Sequence, residues 1–189
     1  LCVAAIYAGG DGIKEMHYMG VKDSKRISDE GILKIAKELR LHFPYTVIRL
    51  FPKKYNELHA KFKNLNRLLG WAHAAALGDL ALKTGCKRAL LDQFAEKHVM
   101  ETALKQKKIE VELEQKVRGE EDLVVAAASI LARAAFLEGM KSLSEEYGME
   151  IPKGASSLVK QTALTLIAKF GREVLDKVAK LHFKTTGEL

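Results

Sequence analysis

A chain of 189 residues with 48% hydrophobic side chains is long enough to bury one substantial core and short for two full domains, so a single domain over residues 1–189 is expected. Its 31 Lys and Arg against 24 Asp and Glu give a formal charge of +7, which favours polyanionic partners through long-range attraction and counterion release. No basic leader with a cleavage site opens it and no apolar run reads as a membrane span; the two cysteines lack the spacing of a zinc site or disulfide framework. A soluble, cytoplasmic protein with reduced thiols and no membrane association is expected.

Residues 1–8, Leu1-Cys2-Val3-Ala4-Ala5-Ile6-Tyr7-Ala8, read as a buried strand with no Met, cap or polar lead-in, as if cut from something longer. Gly9-Gly10-Asp11-Gly12 reads as a turn, and residues up to Gly20 are weakly patterned. A polar, basic loop, 21–26, precedes a helix over 29–41 with Ser28 as its cap and apolar Ile32, Leu33, Ile35, Ala36 and Leu39 at helical spacing. Pro44 stops it, 45–51 reads as a strand, and Pro52 starts a short amphipathic helix carrying Tyr55, Leu58 and Phe62. A core helix over 65–82 ends at Gly85. A strand over 87–91 closing on Asp92, a helix over 96–104 and a strand over 109–117 follow; then come helices over 121–140, 155–169 and 172–181. Such an order argues a mixed α/β sheet with helices on its faces.

Two acidic features carry the candidate chemistry. Asp92 ends an apolar strand, and Glu120-Glu121-Asp122 opens the alanine-rich helix. Carboxylates delivered from a strand end and a helix start suit hard divalent cations, which take oxygen ligands and complete their shells with water and phosphate. The blander reading is also open: Asp92 as a strand terminator, and the triplet as helix caps complementing the macrodipole, with only one of the three able to face Asp92.

Gly119-Glu120-Glu121-Asp122-Leu123-Val124-Val125-Ala126-Ala127-Ala128-Ser129-Ile130-Leu131-Ala132-Arg133 resembles the acid-plus-alanine helix of the type 2 ribonuclease H superfamily, in the form most similar to ribonuclease HIII. Val21-Lys22-Asp23-Ser24-Lys25 resembles that family's Asp-Ser-Lys loop, and Leu90-Leu91-Asp92-Gln93-Phe94 its third acidic strand. Residues 64–73 resemble its long helix, and Pro152-Lys153-Gly154-Ala155-Ser156 and His182-Phe183-Lys184-Thr185-Thr186 its later elements. Each motif alone is weak; six in the right order are specific.

The resemblance implies a ribonuclease H-like α/β fold with a mixed sheet flanked by helices, and Mg²⁺ or Mn²⁺ held by four carboxylates. The implied activity is endonucleolytic hydrolysis of the RNA strand of RNA/DNA hybrids by two-metal in-line attack of water on the phosphodiester. Asp92 matches the third carboxylate, and Glu120 is assigned the fourth, with Glu121 the alternative. The family's first strand, with its Asp-Glu-Gly motif, and its amino-terminal substrate-binding domain have no counterpart here. The expectation is therefore a catalytic domain truncated at its amino-terminal side, inactive as it stands and active in an intact parent.

Lys22, Asp23, Ser24 and Lys25 are expected to contact substrate, as are Lys153 at a helix start, His182 and Lys184. Trp71 and His73 read as packed residues of a helical stripe, and Arg133 either supports the acidic site or faces solvent. An RNA/DNA hybrid is the expected partner, with no obligate protein partner inferred. Two rivals remain: a non-catalytic basic nucleic-acid-binding module of the same fold, and a related DNA nuclease or resolvase.

Overall fold

The computed structural model describes residues 1–189. In chain order its elements are β1 (Cys2–Ile6), α1 (Gly10–Tyr18), α2 (Asp29–His42), β2 (Tyr45–Arg49), α3 (Pro52–Phe62), α4 (Leu65–Thr84), β3 (Arg88–Asp92), α5 (Lys97–Gln106), β4 (Glu112–Lys116), α6 (Leu123–Tyr147), α7 (Ser157–Phe170), α8 (Val174–Val178) and α9 (Lys184–Gly187). Short 3₁₀ turns occupy Ser24–Arg26 and Gly119–Glu121. The expected α/β class is found. The chain divides into two compact units, one of residues 2–48 and 64–135, the other of residue 1, 49–63 and 136–189.

The larger unit is organised by α4. Its Asn64 cap accepts a hydrogen bond from the Arg67 amide at 3.0 Å, and Gly85 closes it in the left-handed conformation. Small residues make α4 narrow enough to be covered on several sides. A Cβ at Gly78 would lie 2.6 Å from the end of the Ile109 side chain, so glycine here lets that side chain pack directly on α4. One cluster joins Val3 and Ala5 of β1 to Ala72, Ala76 and Leu80; another joins Ala74 to Leu91, Met100, Ala103 and Leu104. Leu77 packs against both. Burying a side chain of the size of Met100 or Leu104 contributes roughly 1.5–3 kcal/mol, so these clusters fix both strand pairs to one helix.

The strands form two separate two-stranded sheets, β1 with β2 and β3 with β4. Tyr7, just past β1, donates to the Pro44 carbonyl just before β2, so that pair is antiparallel. β3 and β4 are parallel, with Asp92 opposite Lys116.

The region expected to be a turn followed by weak pattern is instead α1. Gly9 is its extended cap, Asp11 lies in its first turn, and Met16 is fully buried. Gly12 is there for clearance: a Cβ would meet the Phe43 ring at 2.9 Å. α6 also runs seven residues past the expected 140, to Tyr147. By length and composition it is apolar enough to cross a membrane, contrary to the sequence reading, but Ala126, Ala127, Ile130, Leu131 and Ala134 are almost wholly buried within the larger unit, as in a core helix.

In the smaller unit α3 is the anchor. The Asn56 side chain donates to the Asp176 carbonyl, the Asp176 carboxylate and the Ala179 carbonyl at 3.0–3.1 Å, and accepts from the Leu181 amide at 3.1 Å. This clamp holds residues 179–181 out of helix, so the helix expected over 172–181 shrinks to α8. The helix expected from 155 starts at Ser157, after Gly154 at φ +94°.

Candidate metal and nucleic-acid site

The strand end and the acidic triplet meet. After β4, Arg118 adopts the left-handed conformation at φ 57°, turning the chain back, and the Gly119 amide donates to Asp92 Oδ1 at 2.8 Å. A Cβ on Gly119 would sit 2.7 Å from the Asp92 Cα, so this approach requires glycine. Glu120, the next residue, is thereby held beside the end of β3.

The three acids of the triplet diverge as helical geometry demands. Glu120 is half-buried, and Lys25 Nζ lies 3.4 Å from its Oε1. Its carboxyl is held below the usual range first by its own backbone amide and then by Lys25, against partial desolvation and the nearby Asp23 charge. Glu121 faces Arg118 at 3.9 Å and is largely exposed. Asp122 caps α6, accepting from the amides of Val124 at 2.9 Å and Val125 at 3.4 Å. The helix-cap reading is therefore right for Asp122.

The basic loop closes over Glu120 by an unforeseen device. The Asp23 carboxylate, expected to contact substrate, accepts from the Lys25 amide at 3.0 Å and shapes the 3₁₀ turn. Arg133 faces neither the acids nor open solvent. It donates to the carbonyls of Ser24 and Ile27, the latter at 3.1 Å, and reaches the Asp29 carboxylate at 2.7 Å. One guanidinium thus ties the loop and the start of α2 to the helix that the acids precede. Lys22 and Lys25 stay exposed on that loop.

Lys153, His182 and Lys184 belong to the other unit. Lys153 does not sit at a helix start, because α7 begins four residues later, at Ser157. Lys184 is the first residue of the short α9, and His182 stacks on His59 with 4.2 Å between centroids.

A second feature of the larger unit lies between its sheets. β1 pairs only with β2 and β3 only with β4, so each keeps one unpaired edge. A cavity of about 1030 Å³ is lined by β1 (Ala4, Ile6), β3 (Leu90, Asp92), α4 (His73) and α6 (Ser129). His73 was read as a packed residue, and its ring does stack on Phe94 at 5.1 Å. Yet its nitrogens make no hydrogen bond, and burial pushes its pKa down to about 4.

No group of three or more His, Cys, Asp or Glu side chains comes together to hold a metal ion. Asp92 and Glu120 are an oxygen-only pair, of the kind that suits a hard divalent cation and does not suit zinc.

The architecture and the meeting of a strand-end carboxylate with an acid-headed helix define a ribonuclease H-like α/β fold. The ribonuclease HII family model matches residues 1–186, and the chain belongs to that family. Ribonuclease HIII of Protochlamydia amoebophila (strain UWE25) is 43% identical over 185 residues, covering 98% of this chain and 62% of that protein. Ribonuclease HIII of Chlamydia muridarum (strain MoPn / Nigg) is 46% identical over 192 residues, covering 100% of this chain and 64% of that protein. The chain thus spans less than two thirds of these relatives. Among solved structures, Bst-RNase HIII in complex with Mn²⁺ superposes with a TM-score of 0.93 at 30% identity, over 99% of this chain and 63% of that one. Ribonuclease H2 of Pyrococcus horikoshii OT3, at 21% identity and TM-score 0.77 over 100% of this chain and 96% of that one, shares the fold.

Proposed function

We propose that this chain is the greater part of a metal-dependent ribonuclease catalytic domain of the HIII type, hydrolysing the RNA strand of RNA/DNA hybrids. The observation that carries the reading is the Gly119–Asp92 hydrogen bond, which brings the residue just before Glu120 onto the Asp92 carboxylate, itself part of the cavity lining. The ribonuclease HIII relatives and the Mn²⁺ complex of one of them support the chemistry.

Asp92 and Glu120 would hold the cations, with Glu121 turned away toward Arg118. The remaining two carboxylates belong on a strand lying in the cavity, where it would pair with the free edges of β1 and β3 and join the two sheets into one. Divalent cations bound there would supply positive charge for in-line displacement at phosphorus. Lys25 neutralises Glu120 now and would be released toward a substrate phosphate when a cation takes its place. Lys22, Ser24 and Lys25 position the nucleic-acid backbone, on a loop that Arg133 holds.

On this reading the chain alone does not turn over. Incubation with RNA/DNA, RNA/RNA and DNA/DNA duplexes in Mn²⁺ is expected to give no cleavage. Supplying in trans an extended peptide bearing adjacent Asp and Glu, matched in length to β1 and β3, is expected to give cleavage of the hybrid RNA strand only. Cleavage of DNA/DNA instead would favour the DNA nuclease rival. Peptide and hybrid binding without cleavage in Mg²⁺ or Mn²⁺ would favour a non-catalytic module.

A further inference from the structure

Four rings gather on the smaller unit. Tyr55, His59 and His182 pack mutually, with centroids 5.7, 4.2 and 5.6 Å apart, and Phe183 tilts against His182 at 4.1 Å. The cluster runs from the fully buried Tyr55 to Phe183, which is 50% exposed. Its foundation is stiff, because the four hydrogen bonds of Asn56 hold the segment that leads directly into His182. Lys180 lies 4.7 Å over the Tyr55 ring and 5.9 Å from that of Phe183. Lys184, next after Phe183, is exposed. Partial desolvation, with the nearby His59 and Lys180, holds His182 below the ordinary imidazole value.

An aromatic that only capped α9 would gain most by burying its ring. Phe183 leaves half of itself in water beside a ring cluster reached through the segment that Asn56 clamps. A rigid, half-wet ring beside lysine is the arrangement that takes a nucleobase face, with the ammonium left for the adjoining phosphate. A base inside a duplex already has both faces covered, so the ligand is an unpaired base.

We propose that Phe183, seated on the Tyr55–His59–His182 cluster, is a stacking platform for an unpaired nucleobase on a single-stranded extension of the nucleic-acid substrate, with Lys184 on its phosphate. This rests on the nucleic-acid reading above and adds the single-stranded portion to it. The contact is tolerant of base identity, since every base has a stacking face.

The test compares equilibrium binding of a blunt RNA/DNA hybrid with that of the same hybrid carrying a short single-stranded extension with 2-aminopurine at successive positions. For the unaltered chain the extension is expected to tighten binding by about 5- to 100-fold and to quench 2-aminopurine at one position. Phe183→Leu, which keeps apolar bulk and removes the ring, should lose both effects, and Phe183→Trp should retain them. An extension that adds nothing, or adds equally in Phe183→Leu, overturns the platform while leaving hybrid binding in place. Failure of blunt and extended hybrids alike to bind overturns the nucleic-acid reading as well.

Discussion

Gly119 donates its main-chain amide to the carboxylate of Asp92 across 2.8 Å, linking the end of β3 to the residue that immediately precedes Glu120. The contact joins positions 27 residues apart and leaves no room for a side chain at position 119.

Gly119→Ala should therefore disturb the site more than its single methyl suggests. The added Cβ would meet backbone atoms of Asp92 at 2.7 and 2.9 Å, and backbone gives way less readily than a flexible side chain. A loss of about 1–3 kcal/mol is expected from urea unfolding. Gly148→Ala is no fair control, since its φ of +61° brings its own strain. Gly10→Ala, with open space around it, is suitable and should change stability little.

Arg133→Ala should free the basic loop. It removes hydrogen bonds to Ser24, Ile27 and Asp29, two of them to carbonyls left without this donor. A cost of about 1–3 kcal/mol is expected. Amide exchange should quicken at Lys25 and Ile27 more than in α4. Arg133→Lys should recover only part of this, because one ammonium lacks the planar fork that spans both partners. Uniform exchange changes across the unit would count against a specific tie.

His73 should make stability fall with acid. Its folded pKa of about 4 lies below the ordinary imidazole value of 6.5, so the unfolded chain binds the proton more readily between those values. Stability is full above about pH 6.5 and declines as pH falls toward 4, with no further loss from this group below that. The magnitude is about 1–3 kcal/mol, set by how much water reaches the cavity. Comparing unfolding at neutral and acid pH in His73→Phe, which keeps a ring against Phe94, should show this component removed. An unchanged pH slope would place the imidazole in water.

The acids are separable. Glu120→Gln should abolish divalent-cation effects at the site, Glu121→Gln should not, and Asp122→Ala should cost α6 about 0.5–2 kcal/mol through its lost cap. Thermal melts with and without Mn²⁺ distinguish the three. Equal Mn²⁺ response in Glu120→Gln and Glu121→Gln would refute the assignment.

What could be read in advance was what depends on short-range pattern. α4 was legible because its apolar spacing and the Gly85 that ends it are local signals; so were Ser28 as a cap and Pro52 as a helix start. α1 was hidden because three glycines at its start mimic a turn, and the reason one is tolerated is a Phe43 ring from farther along the chain. The meeting of Asp92 with the triplet was anticipated, but the glycine that permits it was not, since its constraint is steric and comes from another strand. Arg133 was misread for the same reason: a guanidinium spanning more than 100 residues leaves no mark in local spacing. The ring cluster likewise joins α3 to the final segment, which sequence proximity could not indicate.

Paramagnetic broadening by Mn²⁺ in the amide spectrum of this chain tests the central claim most directly. The account predicts broadening centred on the amides of Asp92, Gly119 and Glu120, abolished by Asp92→Asn and unaffected by Glu121→Gln. Broadening centred elsewhere, or unchanged in Asp92→Asn, would contradict it.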